Sequence, residues 1–329
     1  MVVTLVNSGF ENSSKAVRTL GWEVISSSFG DENSRALRKK LTARTVTSPL
    51  LSLDIDRAFK TKKEDVNALR IARREQQFLG IILLKKRDFD SKHFEKRVGS
   101  LEIFYSFGKR YPENRLIKDL LLRELTSQLD TFDYLTCRVP AEDLAAANVL
   151  EHHGFEMLSG MFSFQFNWSL SSLPPRDTSR VTPCHSNEVS SLAAIAKQAF
   201  VHDRLHQDHK LSDELCNSFH EKWVTNCCLS DLADVVLVSR QGGDPSGFIA
   251  CRLVGKINGV RFGEIVLIAV APGLHGRGIG GSLIHAALEW FQRRTDIVIV
   301  RTESTNHSSV KMYLNAGFLL VESSNYFRR

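Results

Sequence analysis

The segment from Glu264 to Arg294 constrains the fold of this 329-residue chain more than any other part of it. It opens with a continuous apolar run, EIVLIAV, which is typical of a strand buried on both faces. Pro272 and Gly273 end that strand, and the glycine-rich turn HGRGIGG follows at 275–281. Apolar residues then recur at helical spacing as far as Phe291. The sequence therefore predicts a buried strand, a glycine loop and an amphipathic helix in succession.

The four glycines of this turn, at positions 276, 278, 280 and 281, indicate a site for a phosphate group. Glycine tolerates positive φ angles and allows a ligand to approach the backbone closely. Several N–H groups then converge at a helix N-terminus, where the helix dipole favours an anion such as a pyrophosphate. The lack of a Gly-Lys-Ser/Thr sequence excludes a P-loop NTPase. We also exclude a dinucleotide-binding domain, because we predict no βαβ unit with a ribose-binding acid after the loop.

At these residues the sequence resembles the GNAT superfamily of N-acetyltransferases. The coenzyme A loop of that superfamily reads Gln/Arg-x-x-Gly-x-Gly/Ala, and here it stands as HGRGIG at 275–280, with His275 in place of the usual Gln or Arg. Asn306 and the sequence MYLNAGF, which contains Tyr313, follow in the order that the superfamily shows. The resemblance implies a mixed α/β fold with a central twisted sheet and flanking helices, and acetyl-CoA as the co-substrate.

Further stretches are similar to TDP-fucosamine acetyltransferase and its relatives. They are FVHDR at 200–204 with the following Asp208, KWVTN at 222–226, and the closing VESSNYFRR. RDFDSKHFEKRVGSLEI, at 87–103, resembles the opening segment of that family. In this family a short half-GNAT domain precedes the catalytic domain, and a homodimer is expected by analogy.

The resemblance assigns roles to individual residues. Tyr313 is the predicted proton donor to the departing thiolate, because a phenol can serve as a general acid. Glu264 is a predicted proton acceptor, and a water relay or one of His202, His206 and His209 is the alternative. The predicted coenzyme contacts are Ile268, Ala269, Val270, His275, Gly276, Arg277, Gly278, Ile279, Gly280, Gly281, Ser282 and Asn306. The predicted acceptor contacts are Arg204, His206, Asp208, Trp223 and Asn226.

The sequence SLSSLPPRDTSR, at 169–180, is rich in Ser and Pro and predicts a linker. On either side of it the pattern strand, turn, short helix, Gly-Phe and strand occurs twice, at 134–158 and at 296–321. We therefore expect a degenerate GNAT-like domain at 81–168 and the catalytic GNAT domain at 181–329. Residues 1–80 form an α/β extension of unknown role in this interpretation. Leu150 stands where the second copy has Tyr313, so we predict that the first copy is catalytically silent.

Composition narrows the class of protein. The formal net charge is +6, and the basic residues are dispersed, so we expect neither a nucleic-acid nor a membrane partner. The six cysteines show no zinc-ligand spacing, and we expect them to be reduced and no metal to be bound. The N-terminus carries no signal-peptide pattern, so a cytoplasmic location is expected.

These observations lead to one function with two alternatives. We expect direct transfer of an acetyl group from acetyl-CoA to the amine of a nucleotide-linked amino sugar, with a TDP-4-amino-4,6-dideoxyhexose as the leading acceptor. The first alternative is a tandem-GNAT enzyme acting on another small amine, similar to mycothiol synthase. The second is an acyl-CoA-binding module without catalytic activity.

Overall fold

A computed structural model describes residues 21–27, 31–44, 49–60, 63–173, 175–200, 203–230 and 232–329. They belong to two compact units. Unit 1 comprises Met1–Leu158 and Ser324–Arg329, and unit 2 comprises Ser159–Ser323. Among the described residues, no helix has the length and apolar character needed to cross a membrane.

The helices and strands are, in chain order, β1 (Glu23–Ser26), α1 (Glu32–Arg44), α2 (Pro49–Phe59), β2 (Val66–Arg74), β3 (Gln77–Lys86), α3 (Asp88–Phe94), β4 (Val98–Ser106), α4 (Tyr111–Arg123), α5 (Thr126–Leu129), β5 (Tyr134–Pro140), α6 (Leu144–His152), β6 (Glu156–Asn167), β7 (Val181–Pro183), α7 (Val189–Ala199), α8 (Asp213–Leu229), β8 (Val235–Gln241), β9 (Asp244–Ile257), β10 (Val260–Val270), α9 (Ile279–Phe291), β11 (Ile297–Glu303), α10 (His307–Asn315) and β12 (Leu319–Arg328). The predicted strand, glycine loop and helix are confirmed as β10, the connection from Ala271 to Gly278, and α9.

Unit 2 is built on a sheet with the strand order β6-β11-β10-β9-β8-β7, to which β6 contributes Met161–Asn167. Strands β10 and β11 are parallel, and the other neighbouring pairs are antiparallel. Helices α9 and α10 pack on one face of this sheet, and α7 and α8 pack on the other. Because the central strands are covered on both faces, their sequences are apolar almost without interruption.

Unit 1 repeats this arrangement. Its sheet has the order β1-β2-β3-β4-β5, and β12 joins it through Ser324–Arg328, which pair with β5. Helices α4 and α6 lie on one face and α1 and α2 on the other. Among the described strands of this sheet, again only one neighbouring pair, β4 with β5, is parallel. Strands β5 and β11 have seven residues each, and helices α6 and α10 have nine each.

The repeat is larger than the sequence pattern indicated. Strands β2 and β3 hold residues that the sequence analysis placed mainly in a separate extension, and both belong to the sheet of unit 1. Unit 1 therefore carries a full set of GNAT-like strands rather than half of one. The compact units also differ from the predicted segments at the C-terminus, since Ser324–Arg329 belong to unit 1. The described residues of 169–180 form no helix or strand, and they lie within unit 2.

The reason given above for excluding a dinucleotide-binding domain is wrong. β10, α9 and β11 do form a βαβ unit with parallel strands, and β11 ends in an acid, Glu303. The loop GRGIGG also satisfies the GxGxxG spacing. The sheet itself excludes that fold, because antiparallel strands, β9 and β6, flank the parallel pair on both sides.

Candidate active site

The two parallel strands of unit 2 pair over only part of their length, and we call the space beyond that pairing the cleft. Strands β10 and β11 pair at Phe262, Gly263 and Glu264, and β10 continues for six more residues to Val270. A bulge at Val266 shifts the register of β10 against β9 just beyond the last parallel pair. Bulges bend the strand that carries them, so β10 diverges from β11 at this point.

The predicted pantetheine contacts lie along this cleft. Ile268, Ala269 and Val270 pair with β9 on one side of β10, which leaves their other edge facing the cleft. The side chain of Ala269 is buried against the α7–α8 face, and those of Ile268 and Val270 pack against the α9 face. The backbone of this segment therefore has the position that the prediction requires, next to an extended ligand.

The loop between β10 and α9 presents backbone rather than side chains. Gly273, Gly276 and Gly278 have φ angles of +77°, +77° and +80°, which glycine adopts without strain. Gly278 is the N-cap of α9, its position provides no side-chain cap, and the first turn holds no acidic residue. His275, Gly276, Arg277 and Gly278 are exposed. The free N–H groups of the first turn can therefore bind an anion.

The remaining loop residues mainly serve packing. Ile279 is buried in the core beneath α9. A Cβ atom on Gly280 would lie 2.6 Å from Sδ of Met312, and one on Gly281 would lie 2.6 Å from Cζ of Arg176. These two glycines are thus required by close neighbours, in addition to any contact with a ligand. Ser282 is half-buried on the side of the helix that faces Arg176.

Tyr313 is held in place by the ends of its helix. The side chain of Asn306 caps α10 by accepting a hydrogen bond from the N–H of Ser309 at 3.1 Å, and Gly317 ends the helix region with φ +86°. The Tyr313 ring is buried between Phe164 and Phe318, with centroid distances of 5.6 and 5.8 Å. Burial, with a smaller contribution from Glu303, raises the pKa of Tyr313 well above its usual range. The phenol is therefore protonated at neutral pH, as a proton donor must be.

Glu264 lies where the parallel pairing ends, but two guanidinium groups hold its carboxylate. Nη2 of Arg252 is 2.6 Å from Oε2, and Nη1 of Arg301 is 3.5 Å from Oε1. The carboxylate is only 12% exposed. Both oxygens of the carboxylate are therefore engaged by guanidinium groups. This geometry does not favour the proton-acceptor role that the sequence suggested for Glu264.

The predicted acceptor residue Arg204 lies at the far end of the cleft. Its Nη1 atom is 3.5 Å from Oε1 of Glu303, the last residue of β11. Glu303 also contributes to the raised pKa of Tyr313. The segment that carries Arg204 is therefore next to the predicted centre of chemistry, although the sequence contains no spacing that relates the two.

Next to Arg204 is a cluster of three buried or half-buried groups, Asp203, His206 and His220, which we call the Asp203 cluster. Oδ1 of Asp203 accepts a hydrogen bond from Nδ1 of His206 at 2.7 Å, and Oδ2 accepts one from Nε2 of His220. Burial acts to raise the pKa of Asp203, but the hydrogen bonds from His220 and His206 outweigh it and hold that pKa well below its usual range. The carboxylate is therefore ionised at neutral pH.

Within the Asp203 cluster, the two imidazole rings differ in their contacts. Phe200 and Trp223 stack on it, with centroid distances of 4.7 and 6.1 Å. Its Nδ1 atom is buried and has no hydrogen-bond partner among the described residues. In His206, by contrast, Nε2 is 3.0 Å from Oδ1 of Asn217, so both of its nitrogens are engaged.

The atoms of the Asp203 cluster lie close enough together to consider a metal ion. Roughly 3.3 Å separates two ligand atoms on a tetrahedral zinc ion. The 2.7 Å contact between Asp203 and His206 is shorter and is a direct hydrogen bond. The cluster as it stands is therefore a hydrogen-bonded network.

The other predicted acceptor residues occupy the same region of unit 2. Asp208 is buried, and its carboxylate accepts a hydrogen bond from the N–H of Lys210. Trp223 is half-buried beside His220, and Asn226 lies one turn further along α8. His209 is exposed, and His202 lies outside the described residues.

Sequence reasoning missed several neighbours of these groups. Arg252 and Arg301 bind Glu264 from the strands on either side of it, β9 and β11. No sequence motif links these two arginines to Glu264. Asp203 and His220 are separated by 17 residues and meet only in the fold. Arg176 lies in the segment predicted as a linker, yet its Nη2 atom donates to the carbonyl of Gly278 at 3.1 Å.

Comparisons with known proteins match this part of the chain. The profile of the Acetyltransferase (GNAT) family matches residues 196–318. The spore coat polysaccharide biosynthesis protein SpsD of Bacillus subtilis is 24% identical over 260 residues, which span 75% of this chain and 83% of SpsD. The dTDP-fucosamine acetyltransferase of Escherichia coli O6:H1 is 23% identical over 194 residues, which span 58% of this chain and 78% of that protein.

Solved structures resemble the whole chain. A tandem GNAT protein from the clavulanic acid biosynthesis pathway superposes with a TM-score of 0.59 at 12% identity, and the match covers 94% of this chain and 98% of that protein. Because the identity is this low, the superposition supports the fold alone. The superposition confirms the predicted GNAT fold, with a GNAT-like domain before the C-terminal one. The chain therefore carries, in its C-terminal half, an acetyltransferase domain of the GNAT family.

Proposed function

We propose that unit 2 transfers the acetyl group of acetyl-CoA to the amine of a nucleotide-linked amino sugar, with a TDP-4-amino-4,6-dideoxyhexose as the leading acceptor. The observation that carries this proposal is the similarity to dTDP-fucosamine acetyltransferase, which spans 78% of that protein. The match to a spore coat polysaccharide protein also favours a sugar acceptor.

The coenzyme would lie along the cleft between β10 and β11. Its pyrophosphate would bind the N–H groups of residues 275–280, where the backbone is exposed and α9 has no side-chain cap. Its pantetheine arm would extend beside Ile268, Ala269 and Val270, as an additional strand on the open edge of β10. Asn306, whose Oδ1 is engaged as a cap, has its amide N–H groups left to donate to the arm.

Acetyl transfer consists of two bond changes and two proton transfers. The neutral amine nitrogen attacks the thioester carbon, the C–S bond breaks, the new ammonium loses a proton, and the thiolate gains one. A backbone N–H of β10 in the cleft would stabilise the oxyanion. Tyr313 would donate to the sulfur, and its high pKa means that it releases the proton only as the thiolate charge develops beside it.

For the proton acceptor we propose His220 in place of Glu264. Asp203 fixes one ring nitrogen of His220, and the other nitrogen, Nδ1, has no partner among the described residues. A carboxylate that orients an imidazole in this way is the arrangement of an activated general base. Glu264 would instead anchor Arg252 and Arg301 at the start of the cleft.

The acceptor would bind on the α7–α8 face. Arg204 is suited to a phosphate oxygen, and Trp223 offers a ring on which a base or sugar can stack. His206, Asp208 and Asn226 would hydrogen-bond the sugar or shape its pocket. This face is the one that carries Glu264 and the Asp203 cluster, so the acceptor amine would lie near the proposed base.

Calorimetric titration tests this proposal. Acetyl-CoA is titrated first, and TDP or TDP-4-amino-4,6-dideoxyhexose is then titrated into the saturated protein. We expect micromolar binding of acetyl-CoA and a clear response to TDP. Binding of acetyl-CoA without any response to TDP would contradict the sugar-nucleotide acceptor. A protein that does not bind acetyl-CoA would contradict the coenzyme site itself.

A further inference from the structure

A pocket of about 240 Å³ lies beside the N-terminus of α9, on the side away from Met312. Arg176 and Arg180 come to it from the segment after β6, and Arg277 comes from the glycine loop. A fourth arginine, Arg240, lines it too, but Glu188 neutralises that guanidinium at 2.6 Å. The acid in the lining, Asp177, already accepts a hydrogen bond from the N–H of Ser179.

The charges in this pocket are not balanced. The side chains of Arg180 and Arg277 form no salt bridge with any described residue, and Arg176 donates to the carbonyl of Gly278. Hydrogen bonds from Ser179, and then the charge of Arg180, lower the pKa of Asp177, so this one acid offsets one of the three arginines. All three arginines therefore surround a helix terminus that itself carries partial positive charge and has no acidic residue in its first turn. Cations placed there repel the helix dipole, so the arrangement is favourable only with an anion present.

The contact between Arg176 and α9 also requires a glycine at position 281. A Cβ atom on Gly281 would lie 2.6 Å from Cζ of Arg176 and 2.6 Å from its Nη1. Gly281 is inside the helix, where alanine is the better helix former. A glycine at this position thus allows the guanidinium to lie flat against the first turn. Burial first, and then the charge of Arg176, lower the pKa of His285 one turn along.

We infer that this pocket binds the 3′-phosphate of coenzyme A, and that the segment around Arg176 is part of the coenzyme site rather than a linker. The inference rests on the proposed function. It assigns the pyrophosphate to the backbone N–H groups of the loop and the remaining phosphate, a monoester with up to two negative charges, to Arg176, Arg180 and Arg277. The guanidinium fork is well suited to such a group.

The test is a comparison of acetyl-CoA with its analogue that lacks the 3′-phosphate, by calorimetry, in the full-length protein. We expect the wild type to bind acetyl-CoA about tenfold more tightly than the dephospho analogue, as an exposed charge-assisted contact would give. In Arg176→Gln and Arg180→Gln this ratio falls toward one, because affinity for acetyl-CoA is lost and affinity for the analogue is kept.

Two further variants sharpen the comparison. Gly281→Ala displaces Arg176 without weakening the helix, so it lowers the ratio in the same way as Arg176→Gln. Arg293→Gln removes an exposed arginine beyond the other end of α9, and it leaves the ratio at the wild-type value.

The outcomes separate the two claims. Equal binding of both nucleotides by the wild type overturns the 3′-phosphate pocket and leaves the coenzyme site intact. An equal loss of affinity for both nucleotides in Arg176→Gln also overturns it, because Arg176 would then contact the pyrophosphate. If the wild type binds neither nucleotide, the proposed function fails first.

Discussion

At the scale of single residues, Tyr313 and Glu264 show how surroundings set chemistry. Both are carried by elements that the sequence predicts, and both have family counterparts that imply catalysis. Tyr313 is enclosed by apolar rings, which keeps its phenol protonated. Glu264 is enclosed by two guanidinium groups, which engage both oxygens of its carboxylate. The first environment suits a proton donor, and the second suits an ion-pair anchor.

Tyr313→Phe removes the proton donor and keeps the ring contacts. We expect kcat to fall about 100-fold, within the range for loss of a general acid, and the affinity for acetyl-CoA to change little. Because the pKa of Tyr313 is raised, its deprotonation should not shape the rate between pH 6 and 9. Tyr134→Phe, at another buried tyrosine, in unit 1, is the matched control. Unchanged kcat in Tyr313→Phe would remove this residue from the mechanism.

The proposed base is tested by comparing kcat in two variants. His220→Gln can still donate a hydrogen bond to Asp203 but cannot take up a proton, so we expect kcat to fall about 100-fold. Glu264→Gln should keep most of the wild-type kcat and lose about 1–2 kcal/mol of the free energy of unfolding, because Arg252 and Arg301 lose their partner. The reverse pattern would restore Glu264 as the base.

The residues of the site were predictable to different degrees. The glycine loop, Asn306 and Tyr313 form continuous motifs, and the sequence alone locates them. The partners of Glu264 and the members of the Asp203 cluster come from separate elements, and periodicity carries no information about such contacts. Arg176 was hidden for another reason, since a segment rich in Ser and Pro is typical of a linker. Its contact with α9 depends on tertiary structure.

At the scale of elements, the helix that carries Tyr313 depends on its cap. Asn306 at the start of α10 and Asp143 at the start of α6 hold equivalent positions, and each accepts a hydrogen bond from the N–H three residues on. The turn sequence therefore predicts both helix starts. It does not show whether Asn306 also binds the coenzyme.

Substitutions at Asn306 separate capping from coenzyme binding. Asn306→Ala should lower the free energy of unfolding by about 1 kcal/mol, as loss of an N-cap does. Asn306→Asp keeps the cap but removes the N–H donors, so we expect normal stability and weaker binding of acetyl-CoA. Chemical denaturation and calorimetry measure the two effects. If Asn306→Asp binds acetyl-CoA as the wild type does, capping is the whole role of Asn306.

At the scale of the whole molecule, unit 1 repeats the strand and helix arrangement of unit 2, and Leu150 stands where unit 2 has Tyr313. The parallel strands β4 and β5 also pair briefly, and a bulge at Glu102 follows, equivalent to the one at Val266. Aligning these bulges places Ser100 at the position of Glu264. The short echo in the sequence predicts the repeat near each Gly-Phe pair. Its extension to β2 and β3 could not be predicted, because those strands share no motif with β8 and β9.

Lys118 fills the corresponding space in unit 1. Its Nζ atom lies 3.0 Å from Oγ of Ser106, at the end of β4, and 3.0 Å from Oδ2 of Asp143, the cap of α6. Ser106 and Asp143 are the counterparts of Val270 and Asn306, the predicted pantetheine contacts. The amino group of Lys118 thus occupies this region of unit 1, which supports the prediction that the first copy is catalytically silent.

The last residues of the chain belong to unit 1, and this can be tested. Phe327 is 1% exposed in its core, and Ser324–Arg328 pair with β5. We expect Phe327→Ala to lower the free energy of unfolding by about 3–5 kcal/mol. The same change should speed hydrogen–deuterium exchange of Tyr134–Pro140, which is distant in the sequence. Leu320→Ala, at a half-exposed position of the same strand, is the control. Unchanged exchange at β5 in Phe327→Ala would contradict the assignment of these residues to unit 1.

Mass spectrometry of the reaction products tests the central claim most directly. The protein is incubated with acetyl-CoA and a TDP-4-amino-4,6-dideoxyhexose, and the same sugar with a hydroxyl group in place of the amine serves as the control. We predict that the amino sugar gains one acetyl group in amounts equal to the free coenzyme A released, and that the hydroxyl sugar is unchanged. Recovery of the amino sugar without an acetyl group, from a protein that binds acetyl-CoA, would contradict it.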